Sequence, residues 1–225
     1  MTLTPELVAR VRRDLEDPGP DPALAYHTDD DYDAVVRALL ASRPGGPDTW
    51  LFAYGSLIWR PEVEHLESRK GTARGWHRSF CFRIVRFRGT TDQPGLMMSL
   101  DRGGQCQGVL YKLAPQDLEA QFAKLVRREM TVKPPNNVPR WIAVDTLEGP
   151  VAAVAFVMNR QSRFYTGRLP PEEVADAISK ACGHWGSCAE YLHNTVAHLE
   201  QHGIHDRNLW RLQELVAERI AGLSP

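Results

Sequence analysis

A glutamate at the end of an apolar helical stripe is the residue in this 225-residue sequence best suited to acid/base chemistry. The stripe has helical spacing and consists of Leu118, Phe122, Leu125 and Glu129. Eleven residues at about 100° each return to within about 20° of the starting direction, so the carboxylate is expected to face the core. Burial and the negative end of the helix dipole both raise a carboxylate pKa, which suits a general acid/base near neutral pH.

The periodicity of this helix leaves a plainer interpretation of Glu129 open. The carboxylate could form an ordinary ion pair with a nearby arginine, or it could lie at a frayed and exposed helix end. The arginines within reach by sequence are Arg127, Arg128 and Arg140. Spacing alone does not decide between a structural ion pair and a catalytic acid/base.

A second candidate for chemistry is the segment in which a short apolar run enters Gly55 and Ser56. A strand that turns sharply at Gly-Ser exposes successive backbone N–H groups, and such a nest binds a carboxylate or an oxyanion. The Ser56 hydroxyl adds another polar group. Many ordinary turns have the same composition, so this segment by itself is also compatible with a plain turn.

The elements that must position these residues follow from the remaining pattern. Two short helices precede a Pro- and Gly-rich linker at residues 43–48, strands occupy the middle of the chain, and helices dominate its last third. This order predicts an α+β fold, with an N-terminal helical extension (1–48) and a main domain (49–225). A helix is expected at about 115–129, and the sequence Asp101–Gly104 predicts a hairpin between two strands.

Composition and charge exclude several classes of function. The formal net charge is −1, with acidic and basic residues interspersed, so neither nucleic acid nor an anionic membrane is an expected partner. No apolar run approaches the ~20 residues of a membrane span. The four cysteines show no dense disulfide pattern, which predicts a reducing, cytoplasmic setting. Cys182, His184 and Cys188 match no common zinc motif, and no metal is expected.

Several segments, taken in order, resemble the ChaC family from about Trp50 to the C-terminus. Each segment alone is weakly specific, but their order is distinctive. They are residues 51–59 (LFAYGSLIW), 75–81 (GWHRSFC), 88–90 (RGT), 94–96 (PGL), 100–104 (LDRGG), 108–109 (GV), 128–130 (REM), 139–141 (PRW) and 191–195 (YLHNT).

The resemblance implies a γ-glutamylcyclotransferase fold, a small mixed β-barrel surrounded by helices. It implies that glutathione is converted to 5-oxoproline and Cys-Gly without a cofactor, and that Glu129 is the acid/base. It also implies that the loop holding the γ-glutamyl group, with the strand leading into it, comprises Leu51, Phe52, Ala53, Tyr54, Gly55, Ser56 and Leu57.

One departure from the family pattern keeps other functions open. The family places a tyrosine a few residues after its glutamate, whereas residues 131–138 (TVKPPNNV) contain none. The substrate could therefore be another γ-glutamyl amide or amine. A non-catalytic module that regulates a cation transporter is the non-enzymatic alternative. The arginines that could bind the glycine carboxylate of glutathione, or simply form a solvated strand face, are Arg83, Arg86 and Arg88.

Overall fold

The computed structural model describes residues 1–223, which form two compact units. The first unit comprises Met1–Pro20, Ser79–Met98 and the chain from Phe164 onward, and the second comprises Asp21–Arg78 and Ser99–Arg163. The N-terminal residues contribute to both units. The domain boundary expected at residue 48 stays a prediction.

Most strands lie in the middle of the chain, and helices occur mainly towards its two ends. In order, they are α1 (Pro5–Arg10), β1 (Ala25–Tyr26), α2 (Asp29–Ala41), β2 (Trp50–Ala53), a 3₁₀ turn (Ser56–Ile58), β3 (His65–Ile84), β4 (Gly95–Leu113), α3 (Leu118–Glu129), β5 (Val132–Lys133), β6 (Asn137–Thr146), β7 (Gly149–Met158), α4 (Pro171–Ile178), β8 (Cys182–Gly183), β9 (Gly186–Ser187), α5 (Cys188–Gln201) and α6 (Arg207–Ala221). The helix predicted at 115–129 is confirmed, with its start three residues later.

The second unit is built on a closed barrel with the strand order β2-β4-β3-β6-β7. Strand β2 pairs antiparallel with β4 and parallel with β7, so the sheet is mixed. The residues of β2 are 0–3% exposed, and those at 153–157 of β7 are 0–2% exposed, because both strands are apolar and lie inside the unit. The predicted α+β class with a small mixed barrel is therefore confirmed.

The hairpin predicted at Asp101–Gly104 is wrong. Strand β4 runs without interruption from Gly95 to Leu113, through this segment. Gly103 and Gly104 have φ of +107° and +67°, a backbone conformation that glycine adopts without steric strain. Turn-forming composition cannot by itself distinguish a chain reversal from an irregularity inside a long strand, which also favours glycine.

Helix α3 packs against the outside of the barrel beside α2. The ring of Phe122 meets the ring of Trp141 on β6 edge-to-face, with centroids 6.2 Å apart. The indole N–H of Trp141 also donates to the carbonyl of Leu39 on α2, at 3.3 Å. The contact of Phe122 with Trp141 turns towards the barrel the face of α3 that ends at Glu129.

The first unit contains α1 and the three C-terminal helices. Helix α4 packs on α6, and α1 packs on both α5 and α6. Three of these helices begin at a side-chain cap: Thr4, Ser187 and Asp206 each accept a hydrogen bond from a backbone N–H in the first turn of their helix.

Two properties of the described residues bear on the environment of the chain. Within residues 1–223, no helix combines the length and the apolar character needed to traverse a lipid bilayer. The four cysteines are buried and are not joined in disulfides. Burial raises the pKa of Cys188 to about 12, so its thiol is a poor nucleophile at neutral pH.

Gly108 on β4 supports a stability prediction. A Cβ at this position would lie 2.5 Å from the carbonyl oxygen of Ala53 and 2.6 Å from the ring of Phe52. We expect Gly108→Ala to lower the free energy of unfolding by about 1–3 kcal/mol, because β2 must shift to make room. Gly45→Ala is the control, since no atom lies within 4 Å of its Cβ position, and it should change stability by less than about 0.5 kcal/mol. Equal denaturation midpoints for the two variants would contradict this prediction.

Candidate active site

Glu129 lies at the C-terminal end of α3 with its side chain only 15% exposed. The two apolar residues before it in the stripe, Phe122 and Leu125, are 0% and 1% exposed, so the stripe faces the core as its spacing predicts. Burial raises the pKa of Glu129, the neighbouring carboxylate of Glu62 raises it further, and Arg128 lowers it. The carboxyl group therefore has the environment that a proton-transfer group needs.

Arg128 connects Glu129 to the Tyr54–Leu57 loop. Its Nε lies 3.2 Å from Oε1 of Glu129, and its Nη2 donates to the Ser56 hydroxyl at 2.9 Å. Its Nη1 lies 3.1 Å from Glu62 and also donates to the carbonyl of Arg60. The guanidinium is 19% exposed, and its planar set of donors lets it hold these groups at once. The structure therefore contains the ion pair between Arg128 and Glu129 that the sequence left open, and the Glu129 carboxylate is also largely buried.

The predicted substrate-binding segment differs in accessibility along its length. Leu51, Phe52 and Ala53 are completely buried in β2, so their side chains form the support beneath the loop. Tyr54 is 6% and Leu57 4% exposed, whereas Ser56 is partly accessible. The role of all seven residues in binding stays a prediction. Of these seven residues, Ser56 is the one with a partly accessible surface that a ligand could reach.

Hydrogen bonds fix the turn that follows β2. The hydroxyl of Tyr54 donates to the carbonyl of Phe156 at 2.8 Å, and the Tyr54 carbonyl accepts from Nε of Arg78 at 2.7 Å. The N–H of Ile58 donates to Gly55, and the N–H groups of the next two residues donate to Ser56. The N–H groups of residues 58–60 therefore donate hydrogen bonds within the turn. The predicted role of binding an oxyanion is left to the N–H groups of residues 55–57.

Sequence analysis did not identify the roles of Arg128 and Glu62. Arg128 was visible as the residue before Glu129 and as part of a family-like segment, but its contact with Ser56 spans 72 positions along the chain. Glu62 lies in a loop and carries no periodic signal, and its φ of 56° is a property of the folded loop. The resulting group of two carboxylates, one guanidinium and one hydroxyl can accept, hold and return a proton.

The other candidates from the sequence have structural partners within the first unit. Arg86 donates to both carboxylate oxygens of Asp17, at 2.8 and 2.6 Å. Arg88 is 11% exposed and donates to Glu190 at 2.7 Å. Within residues 1–223, no group of three or more His, Cys, Asp or Glu side chains is arranged to hold a metal ion. These observations give no support to a ligand role for Arg86 or Arg88.

Comparison with known proteins identifies relatives over most of the chain. The family described as ChaC-like protein matches residues 49–219. The glutathione-specific gamma-glutamylcyclotransferase of Escherichia coli (strain K12) is 38% identical over 189 residues, covering 84% of this chain and 81% of that protein. Glutathione-specific gamma-glutamylcyclotransferase 1 of Mus musculus is 33% identical over 150 residues, covering 64% of this chain and 66% of that protein.

A solved structure shares the fold. The yeast gamma-glutamyl cyclotransferase specific to glutathione superimposes with a TM-score of 0.69 at 19% identity, covering 77% of this chain and 97% of that one. At this identity the likeness concerns the fold. The segments noted in the sequence, the barrel and these matches agree, and the chain belongs to the ChaC-like protein family.

Proposed function

We propose that this protein is a γ-glutamylcyclotransferase that converts glutathione to 5-oxoproline and Cys-Gly. The observation that carries the proposal is the buried carboxyl of Glu129, joined through Arg128 to the Ser56 hydroxyl of the turn after β2. The E. coli and mouse relatives are both named for this activity on glutathione, which supports the same substrate here.

The reaction uses a nucleophile that the substrate carries. Ionised Glu129 accepts a proton from the α-ammonium group, and the free amine attacks the γ-carbonyl carbon. A new C–N bond closes the five-membered ring and produces a tetrahedral oxyanion. When this intermediate collapses, the bond to the cysteine nitrogen breaks, and Glu129 returns its proton to that nitrogen. The ring nitrogen then loses its second proton, which the amine of the released Cys-Gly takes up. Such positioned proton transfers contribute about 10²–10⁴-fold to a rate.

The surroundings of Glu129 suit both proton transfers. Burial favours the protonated form, which is needed to return a proton to the leaving amine, and Arg128 favours the ionised form, which is needed to accept one. The amides at positions 55–57 are the groups we assign to the oxyanion, and one such donor contributes about 10²–10³-fold. The turn follows a strand of the closed barrel and Glu129 lies on α3, so both parts of the site are carried by regular elements.

The proposal predicts equimolar 5-oxoproline and Cys-Gly when the purified protein is incubated with glutathione. The control substrate is glutathione acetylated on its α-amine, which should not react because its nitrogen can no longer attack. Release of free glutamate would indicate hydrolysis, and the absence of 5-oxoproline would indicate a different reaction. Either result would reject the proposal.

A second candidate substrate, another γ-glutamyl amide or amine, is favoured by the segment after Glu129. This segment contains β5 and no tyrosine, so the end of the site that would meet Cys-Gly differs from the family pattern. We would compare kcat/KM for a panel of γ-glutamyl dipeptides and amines with that for glutathione. A best substrate other than glutathione would support this alternative, and glutathione as the best would eliminate it.

We also propose a cytoplasmic location and a small-molecule substrate as the partner of this protein. Support for the first is that the four cysteines are not joined in disulfides. Support for the second is the enzymatic activity named for the relatives. The sequence expectation that nucleic acid is not a partner rests on charge alone and stays a prediction.

A further inference from the structure

The segment Ala25–Ala41, which we call the N-terminal strap, comprises β1 and α2 and precedes the residues matched by the family. The strap belongs to the same compact unit as the barrel and α3. Three of its polar contacts reach residues that flank Glu129 in the sequence. The sequence alone gave this segment no function.

The strap fixes the main chain directly after Glu129. Strand β1 pairs antiparallel with β5, so that Tyr26 lies opposite Val132. The hydroxyl of Tyr32 donates to the carbonyl of Met130 at 3.0 Å. The N–H of Met130 donates to Val126 in the last turn of α3. Both polar main-chain groups of the residue that follows Glu129 are therefore held.

Charged pairs tie the strap to residues on both sides of Glu129. Asp29 accepts from Arg127 at 2.5 Å, and Asp31 accepts from Lys133 at 2.6 Å. The hydrogen bond from Lys133 lowers the pKa of Asp31 to about 2, so this carboxylate is ionised at neutral pH. Because the Asp29–Arg127 pair is largely exposed, it adds little to the stability of the protein. Its contribution is mainly to the orientation of the strap against the end of α3.

We propose that Tyr32 is a positioning residue for Glu129, acting through its hydrogen bond to the Met130 carbonyl. The inference rests on the proposed function, because it assigns the strap to the acid/base step of that reaction. A displacement of about 1 Å in a catalytic group can cost about 10²-fold in rate, so anchoring the helix end has a catalytic consequence.

Tyr32→Phe isolates this hydrogen bond from the packing of the ring. The ring of Tyr32 lies 4.8 Å from the guanidinium of Arg127 and 5.3 Å from the ring of His27, and phenylalanine retains both contacts. The matched control is Tyr26→Phe, because the Tyr26 hydroxyl donates to the carbonyl of Asp21 instead. Both substitutions remove one tyrosine hydroxyl from the strap.

We expect Tyr32→Phe to lower kcat for glutathione about tenfold and to leave KM within about twofold, since the γ-glutamyl loop is untouched. Tyr26→Phe should change neither constant by more than about twofold. Amide hydrogen exchange should become faster at residues 130–133 in Tyr32→Phe, while the barrel strands β6 and β7 remain as protected as in the unmodified protein.

The outcomes separate this inference from the proposed function. An inactive unmodified protein would reject the function, and the exchange measurement would still show whether Tyr32 holds residues 130–133. An active protein in which Tyr32→Phe and Tyr26→Phe have equal kcat would overturn the positioning role. A fall in kcat without faster exchange at 130–133 would overturn it as well, because the effect would then not pass through this main chain.

Discussion

Replacement of Glu129 by glutamine is expected to lower kcat/KM for glutathione by about 10²–10⁴-fold, the range for loss of a general acid/base. Glutamine has nearly the same shape but neither accepts the proton of the α-ammonium group nor returns one to the cysteine nitrogen. The measurement is steady-state formation of 5-oxoproline by purified protein. The matched control is Glu119→Gln, on the exposed first turn of the same helix, which should keep activity within about twofold.

The stability of Glu129→Gln provides a second, independent check. Burial raises the pKa of Glu129 above its ordinary 4.5, so the folded protein binds this proton more tightly than the unfolded chain does. The associated stability is fully present below pH 4.5 and is lost as the pH rises through the folded pKa. Glutamine has no such loss, so the variant should gain stability relative to the unmodified protein as the pH rises through this window.

Denaturant unfolding of both proteins at several pH values would test the linkage. The difference in unfolding free energy should increase from pH 4.5 upward and level off above the folded pKa of Glu129. A variant that is inactive and less stable throughout this range would show that the lost activity reflects damaged structure. Full activity in the variant would remove Glu129 from the mechanism.

Local patterns predicted the parts of this fold that depend on neighbouring residues. The helical period placed Glu129 on the core-facing side of α3. The apolar run at 50–54 corresponds to β2, which is a buried strand of the barrel. In each case the signal lies within a few residues of the feature, where propensity and burial act together.

The sequence did not predict features that depend on contacts between distant segments. The pairing of β1 with β5 joins residues more than 100 positions apart, and β1 is too short for a periodic signal. The long strand β4 was divided in two because Gly103 and Gly104 satisfy the composition of a turn. Arg128 and Glu129 lie at a helix end, whereas Glu62 lies in a loop. Their proximity is therefore a property of the folded chain that the sequence does not indicate.

The prediction for Arg128 follows from this group of charges. We expect Arg128→Met to lower kcat/KM by about 10²-fold, because it removes the donor to Ser56 and leaves Glu62 and Glu129 without their shared cation. Since Arg128 lowers the pKa of Glu129 and Glu62 raises it, the substitution should raise the pKa of Glu129 further. The acidic limb of the kcat/KM profile should therefore move to higher pH.

Two further variants distinguish this electrostatic role from general damage to α3. Arg128→Lys keeps the charge but loses the planar set of donors, so it should retain the pH profile more closely than Arg128→Met while still losing activity. Lys124→Met removes an exposed cation from the same helix and should leave both the rate and the profile unchanged. If Arg128→Met lost activity with an unshifted acidic limb, Arg128 would act on the Ser56 turn and not on the protonation of Glu129. If it kept full activity, the connection between Glu129 and the loop would have no part in catalysis.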